Sequence, residues 1–199
     1  MAGENVSLKK HDWQSQAYVN EWIRQDIQKD EQRRPQIRKM RAAASIPSSS
    51  IDVVLDVGGG FGVVTEELLG IFPLAKVTLQ DFSQAMLGHA RSRLSGYADQ
   101  LKYVLADLRE PSWVDEVGGP FDLIVSGWAI HNLADPRAIG NCYRAISGLL
   151  KPDSLFLDYD LFDHSGGVGL HATLLRDAGF VHVDCIWHET PSAVIAARV

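Results

Sequence analysis

The chain has 199 residues, 46% of them hydrophobic and 22% charged, with a net charge of −6, which suits one globular domain of ordinary size with a buried core and leaves too little for two. The acidic balance argues against a broad nucleic-acid footprint, because such binding rests on neutralising phosphates. No apolar run approaches a membrane span, and the N-terminal "MAGENVSLKKHDWQ" has no apolar signal core, so a cytoplasmic protein without a membrane partner is expected, with Cys142 and Cys185 as reduced thiols. The sequon Asn5-Val6-Ser7 carries no meaning without secretion.

Residues 12–45 read as helices, since Trp13, Ala17, Val19, Trp22, Ile23 and Ile27 recur close to helical spacing, and Pro35 is expected to divide the run. The stretch 24–41, "RQDIQKDEQRRPQIRKMR", carries seven basic residues against three acidic ones. It reads either as a solvated helical face or as a basic wall near the mouth of a site that favours an anionic substrate. The polar "SIPSSSID" at 45–52 marks the entry to the core. One domain over 1–199 is expected, with residues 1–47 as a helical cap and 48–199 as the core.

Beyond the linker, strands and helices alternate, which predicts a doubly wound α/β fold around a mostly parallel sheet. "IDVVLDV" is the first strand, and a helix over 64–71 follows, closed before Pro73. "AKVTLQD" is the second strand, after which Ser83 caps a helix running to about Leu94. "LKYVLAD" and "FDLIVSG" are the third and fourth strands, and Asp135-Pro136 supplies a cap and an N1 proline for the next helix. "SLFLDYD" is the fifth strand; the glycine-rich "HSGGVG" then leads to a helix over 170–177 that Gly179 is placed to end. "VHVDCIW" and "SAVIAARV" lie close enough to form an antiparallel hairpin at the sheet edge.

The segment 54–69, "VLDVGGGFGVVTEELL", places four glycines within five positions between a strand and a helix. Glycines at such a junction let backbone approach a ligand, and free helix N–H groups point at it. A dinucleotide fingerprint needs a small residue three places after its second glycine. Here that place holds Val63, and the spacing is instead Gly58-x-Gly60-x-Gly62, with Gly59 between the first two and Asp56 two residues ahead.

"LDVGGGFG" resembles motif I of the class I S-adenosylmethionine (SAM) methyltransferases, an acidic residue followed by G-x-G-x-G, and the resemblance runs from about residue 53 to the C-terminus. It implies a Rossmann-like seven-stranded sheet ending in an antiparallel hairpin, with SAM as cofactor and S-adenosyl-L-homocysteine as product. Asp81 closes the second strand 23 positions after Gly58, where a carboxylate can take both ribose hydroxyls. Phe82 and Met86 lie beside the adenine or in the core. By resemblance, Asp107 bonds the adenine amino group, Leu108 adds a backbone contact, and Ser126 and Gly127 run under the methionine end.

"SGWAIHNLADP" is similar to the W-x-x-H-x-W region of small-molecule O-methyltransferases, with Leu133 in place of the second tryptophan. That resemblance makes His131 either a general base for a hydroxyl acceptor or a structural histidine. Trp13, Tyr18, Trp22, Trp128 and Tyr159 are candidate substrate contacts, the first three equally a helix face buried on the core. His164, His171, Asp158 and Asp160 lack a recognised metal-ligand spacing, so no metal is expected. The expected partner is a small-molecule methyl acceptor, and the chain is a monomer or homodimer. Two alternatives stay open: an NAD(P)-dependent oxidoreductase on a Rossmann-like fold, and a non-catalytic SAM-binding partner protein.

Overall fold

The computed structural model describes residues 11–43 and 51–199; the expected linker over 45–50 and the residues before 11 lie outside that range. The strands are β1 (Val53–Val57), β2 (Lys76–Asp81), β3 (Leu101–Leu105), β4 (Phe121–Gly127), β5 (Leu150–Asp160), β6 (His182–Glu189) and β7 (Ser192–Arg198). They form one seven-stranded sheet in the order β3-β2-β1-β4-β5-β7-β6. The pairs among β1 to β5 are parallel, whereas β7 runs antiparallel to both β5 and β6. The expected alternation and the C-terminal hairpin are both present.

Central strands buried on both faces need continuous apolar sequence, and "VVLDV" of β1 supplies it with only Asp56 interrupting. One face is covered by α5 (Pro136–Leu149) and α6 (Gly167–Asp177), through Tyr143, Ile146 and Leu175 packed on Leu55, Ile124 and Phe156. The other is covered by α1 (Gln16–Ala43) and α2 (Val63–Ile71), through Val19, Ile23, Leu68 and Leu69 packed on Val54, Val125 and Leu157. Strand order reverses between β2-β1 and β4, so the ligand crevice falls outside the carboxyl ends of these strands.

The predicted caps are in place. Ser83 Oγ accepts from Met86 N at 3.2 Å at the start of α3 (Gln84–Arg93), and Asp135 accepts from Arg137 N at 3.0 Å ahead of Pro136. Gly179 follows α6 in a left-handed conformation and donates to Arg176 O.

Besides shifts of one or two residues at strand and helix ends, four features differ from expectation. First, α1 continues through Pro35 to Ala43. An interior proline removes one helical hydrogen bond and crowds the preceding turn, but this helix is held on both sides of it: Val19, Ile23 and Ile37 are buried, and Arg34 and Arg38 pair with Glu66 and Glu67 on α2. Second, β5 begins at Leu150 directly after α5, with a register irregularity opposite Phe121 and Leu123 taking up the extra length. Third, α6 begins at Gly167, three residues before the expected start. Fourth, α4 (Trp113–Val117) has only five residues, too few for a periodic signal, and is anchored by the buried Trp113. Among the described residues, no helix is long and apolar enough to cross a membrane.

Candidate functional site

The glycine loop is strapped to the end of β2. Gly58 N donates to Gln80 Oε1 at 2.9 Å, Gly59 N to Gln80 O at 2.9 Å, and Gly60 N to Asp81 Oδ2 at 3.0 Å. Gly62 N closes the turn on Gly59 O at 2.9 Å. Gly58 has φ +63°, and a Cβ there would lie 2.4 Å from Ala129 Cβ, so the Ala129 methyl after β4 abuts this glycine. At Gly60, by contrast, an added Cβ would meet nothing within 4 Å, so that side of the loop faces open space. The amides of Gly58, Gly59, Gly60 and Gly62 are thus committed to β2 and to the turn, while the loop is open at Gly60. A pyrophosphate needs free N–H groups in this place.

Asp56 is fully buried beneath the loop. Thr65 Oγ1 donates to its Oδ2 at 2.6 Å, while its Oδ1 is buried without a partner among the described residues. Burial pushes its carboxyl up to about 7 against the lowering pull of Thr65, and the nearby Asp81 adds to the rise. A carboxylate held this way favours a cationic neighbour. The orphaned oxygen and the open face at Gly60 suit a positively charged, phosphate-free cofactor, so the residues present fit SAM.

Asp81, at the carboxyl end of β2, accepts Gly60 N on Oδ2 and Ser83 N on Oδ1, the latter at 2.8 Å. Burial pushes it up to about 6 despite these donors. Phe82 follows it half-buried, its carbonyl accepting from Gln14 Nε2 at 2.9 Å, and Met86 is buried in the core beneath α1 and α2. Gln80, which the sequence reading did not single out, is 1% exposed and ties two candidate segments together: Oε1 takes Gly58 N and Nε2 donates to Ala106 O at 2.6 Å. Asp107 is half-buried after β3 and accepts from Arg109 N at 2.9 Å, which is the loop-capping arrangement; Leu108 is packed against the core.

After β4 the chain turns sharply at Trp128, which has φ +54°, and enters a one-turn helix, Ile130–Leu133, that carries His131. Ser126 is fully buried with its Oγ unpartnered among the described residues, and an added Cβ at Gly127 would lie 2.7 Å from Val64 on α2. His131 is fixed from two directions by Asp160 at the end of β5. Its backbone N donates to Asp160 Oδ2 at 2.9 Å, and its Nδ1 lies 2.5 Å from Asp160 Oδ1. Asp160 is fully buried and also accepts Leu161 N at 2.8 Å; as a carboxylate it has only acceptors to offer, so Nδ1–H donates to it and Nε2 is left as an acceptor. His164 packs edge-on against the His131 ring.

The candidate substrate contacts divide into two groups. Trp13, Tyr18 and Trp22 are half-buried and interlocked edge-to-face, with Trp22 6.0 Å from Phe61 of the glycine loop. The cap is pinned to the β2 end by Ser83 Oγ, which donates to Trp13 O. These rings therefore pack on one another and, through Trp22, on the glycine loop. Tyr159 is 2% exposed; it supports Trp128 from beneath at 5.8 Å and packs on Trp187. Arg34 and Arg38 of the basic stretch are occupied by Glu66 and Glu67, so these two do not form a basic wall. Among the described residues, no group of three or more His, Cys, Asp or Glu is arranged to hold a metal ion.

Residues 54–153 match the model of a family described as a methyltransferase domain. A release factor glutamine methyltransferase of Chlorobaculum tepidum is 39% identical over 87 residues, 43% of this chain and 30% of that protein. A trans-aconitate 2-methyltransferase of Variovorax paradoxus is 36% identical over 106 residues, 53% of this chain and 37% of that protein. The chain thus matches only about a third of the length of these relatives. An O-methyltransferase family protein from Burkholderia thailandensis superposes with a TM-score of 0.74 at 16% identity, over 94% of this chain and 60% of that one. PigF solved with SAH gives 0.72 at 19% identity and the same coverage. At such identities the structural likeness shows the fold alone.

Proposed function

The chain belongs to the class I SAM-dependent methyltransferase family, and from that premise we propose that it methylates a hydroxyl group of a small molecule, with His131 as general base. One observation carries the choice of acceptor atom: the Nδ1 of His131 faces a fully buried Asp160 at 2.5 Å, which frees Nε2 to take a proton. An amine acceptor would need no such base.

In this reading Asp81 holds the ribose, while Phe82, Met86, Asp107 and Leu108 flank the adenine. The backbone of Gly58, Gly59, Gly60 and Gly62, together with Ser126, Gly127 and the orphaned oxygen of Asp56, surrounds the methionine end. When bound, the cofactor supplies an electrophilic methyl group on a sulfonium. The protein's own work is to hold the acceptor hydroxyl in line with that methyl, exclude water and remove the proton at Nε2, and proximity of this kind is worth about 10⁵ M or more in effective concentration. Trp13, Tyr18 and Trp22 close the cofactor side, while Trp128, supported by Tyr159, lines the acceptor side. The cap over 1–47 and the core over 48–199 act as one domain.

The committed amides of residues 58, 59, 60 and 62 speak against an NAD(P)-dependent oxidoreductase, which would need them for phosphate. The test is incubation with SAM and a panel of phenols, aliphatic alcohols and amines, read as S-adenosylhomocysteine formation. Turnover confined to hydroxyl acceptors and lost in H131A supports the reading; turnover of amines alone, unaffected by H131A, overturns it. No turnover despite cofactor binding would favour a non-catalytic SAM-binding protein.

A further inference from the structure

Behind the His131–Asp160 pair lies a chain of buried polar groups that the proposed reaction does not use. Asp158 stands two residues before Asp160 on β5, hence on the same face of the strand, and both are fully buried. Their surroundings differ sharply. Asp160 accepts three N–H groups, from His131 N, His131 Nδ1 and Leu161 N. Asp158 has one partner, Tyr143 Oη at 2.8 Å from its Oδ2, and its Oδ1 is buried without any among the described residues. Two carboxylates so placed do not both ionise in a dry interior, and the negative charge belongs where the donors are.

The hydrogen-bond inventory accommodates a proton on Asp158. Tyr143 Oη also lies 2.6 Å from His171 Nδ1, and His171 Nε2 lies 2.8 Å from Ser165 Oγ, which in turn reaches Phe162 O at 3.4 Å. A tyrosine has one proton to donate. If Asp158 holds a proton on Oδ2, every bond runs one way: Asp158 to Tyr143, Tyr143 to His171 Nδ1, His171 Nε2–H to Ser165, and Ser165 to the carbonyl of Phe162. If Asp158 is ionised, the chain reverses, Phe162 O keeps its Gly166 N–H donor, and the buried charge on Asp158 rests on Tyr143 alone. We infer that Asp158 is a neutral carboxylic acid, held so by full burial with a single partner while the N–H donors gather on Asp160, and that it positions the base by leaving Asp160 as the single negative charge behind His131.

The other groups facing Asp158 agree with that state. Cys142 and Tyr143 on α5 are themselves buried, and burial suppresses their acidities, so neither brings a charge to Asp158. His171 on α6 is kept neutral by burial, so it offers no compensating charge. Ser126, the register partner on β4, brings a hydroxyl unpartnered among the described residues but no charge, and Ile195 on β7 is apolar. Burial, and after it the Asp160 charge, raise the Asp158 carboxyl well above its ordinary range. With Asp158 neutral, His131 has one charged carboxylate behind it and not two. This role rests on the reading of His131 as the base, but the protonation state of Asp158 does not.

The experiment is an infrared difference spectrum, wild type minus D158N, at about pH 8.5, a unit or more above the values near 7 and 6 to which Asp56 and Asp81 are pushed. A protonated-carboxyl C=O band that is absent in D158N and shifted to higher frequency in Y143F is the expected result. A carboxylate band in its place overturns the proposal, and Y143F alone serves if D158N fails to fold: a protonated-carboxyl band that moves relative to wild type supports the proposal, and none moving overturns it. In turnover, the pH inflection of kcat in D158N should match wild type, because asparagine mimics the neutral acid. An inflection moved to lower pH would mean that Asp158 is an anion supporting His131. Failure of the base reading shows separately, as a D160N enzyme with an unshifted inflection.

Discussion

His131 and Asp160 lie 29 residues apart in sequence and meet through two contacts to one carboxylate, 2.9 Å from the backbone N and 2.5 Å from the ring Nδ1. Removing the ring while leaving the carboxylate separates chemistry from binding. His131→Ala should lower kcat on a hydroxyl acceptor by about 10²–10⁴-fold, while S-adenosylhomocysteine affinity stays within about twofold because the glycine loop is untouched. Steady-state kinetics beside calorimetry checks this, and retained kcat would move His131 to a structural role.

Asp81→Ala should weaken cofactor binding by tenfold or more, on the order of 1.4 kcal/mol. The side chain is the proposed ribose ligand and also the acceptor for Gly60 N and Ser83 N. Asp81→Asn keeps the size and part of the bonding and should lose less. Equal affinity in wild type and Asp81→Ala would refute the assignment.

Gln80→Leu removes one side chain and strands two backbone groups, Gly58 N and Ala106 O. Each unsatisfied buried group costs about 1–3 kcal/mol, so a loss of stability in that range is expected in urea unfolding, together with weaker cofactor binding. A fully stable variant would show that the loop holds its shape without this strut.

Asp56 gives a pH-dependent prediction. Its carboxyl sits at about 7 in the folded chain, against about 3.9 when unfolded. Between those values the folded state binds a proton that the unfolded state has lost, so stability falls as pH rises through the window. Asp81, pushed up to about 6, adds the same sign over a shorter range. Without cofactor, Asp56→Asn should therefore be more stable than wild type by on the order of 2 kcal/mol at about pH 8 and no more stable near pH 4. Urea midpoints across this range measure it; a pH-independent difference would show that Asp56 does not titrate as argued.

The fold was readable because the switch from strand to helix is written in apolar runs and caps: "VVLDV" into glycines, Ser83 before α3, and Asp135-Pro136 before α5. The five-residue α4 and the helix through Pro35 were not, since the first is too short to show a period and the second depends on Glu66 and Glu67 of another helix. In the site, residues adjacent in sequence were legible and pairings across strands were not. Gln80 reads as an ordinary strand glutamine until β1 and β3 flank it. Asp158 and Asp160 look alike in "LDYD", and only the donors around each separate a neutral acid from an anion.

Calorimetric titration of the protein with S-adenosylhomocysteine, and in parallel with NAD, tests the central claim most directly. Micromolar binding of S-adenosylhomocysteine with none of NAD is the predicted result, because the amides of Gly58, Gly59 and Gly60 are bonded to β2 and, in the proposed reading, the orphaned Asp56 oxygen meets a cationic amine. Binding of NAD without S-adenosylhomocysteine would contradict the account.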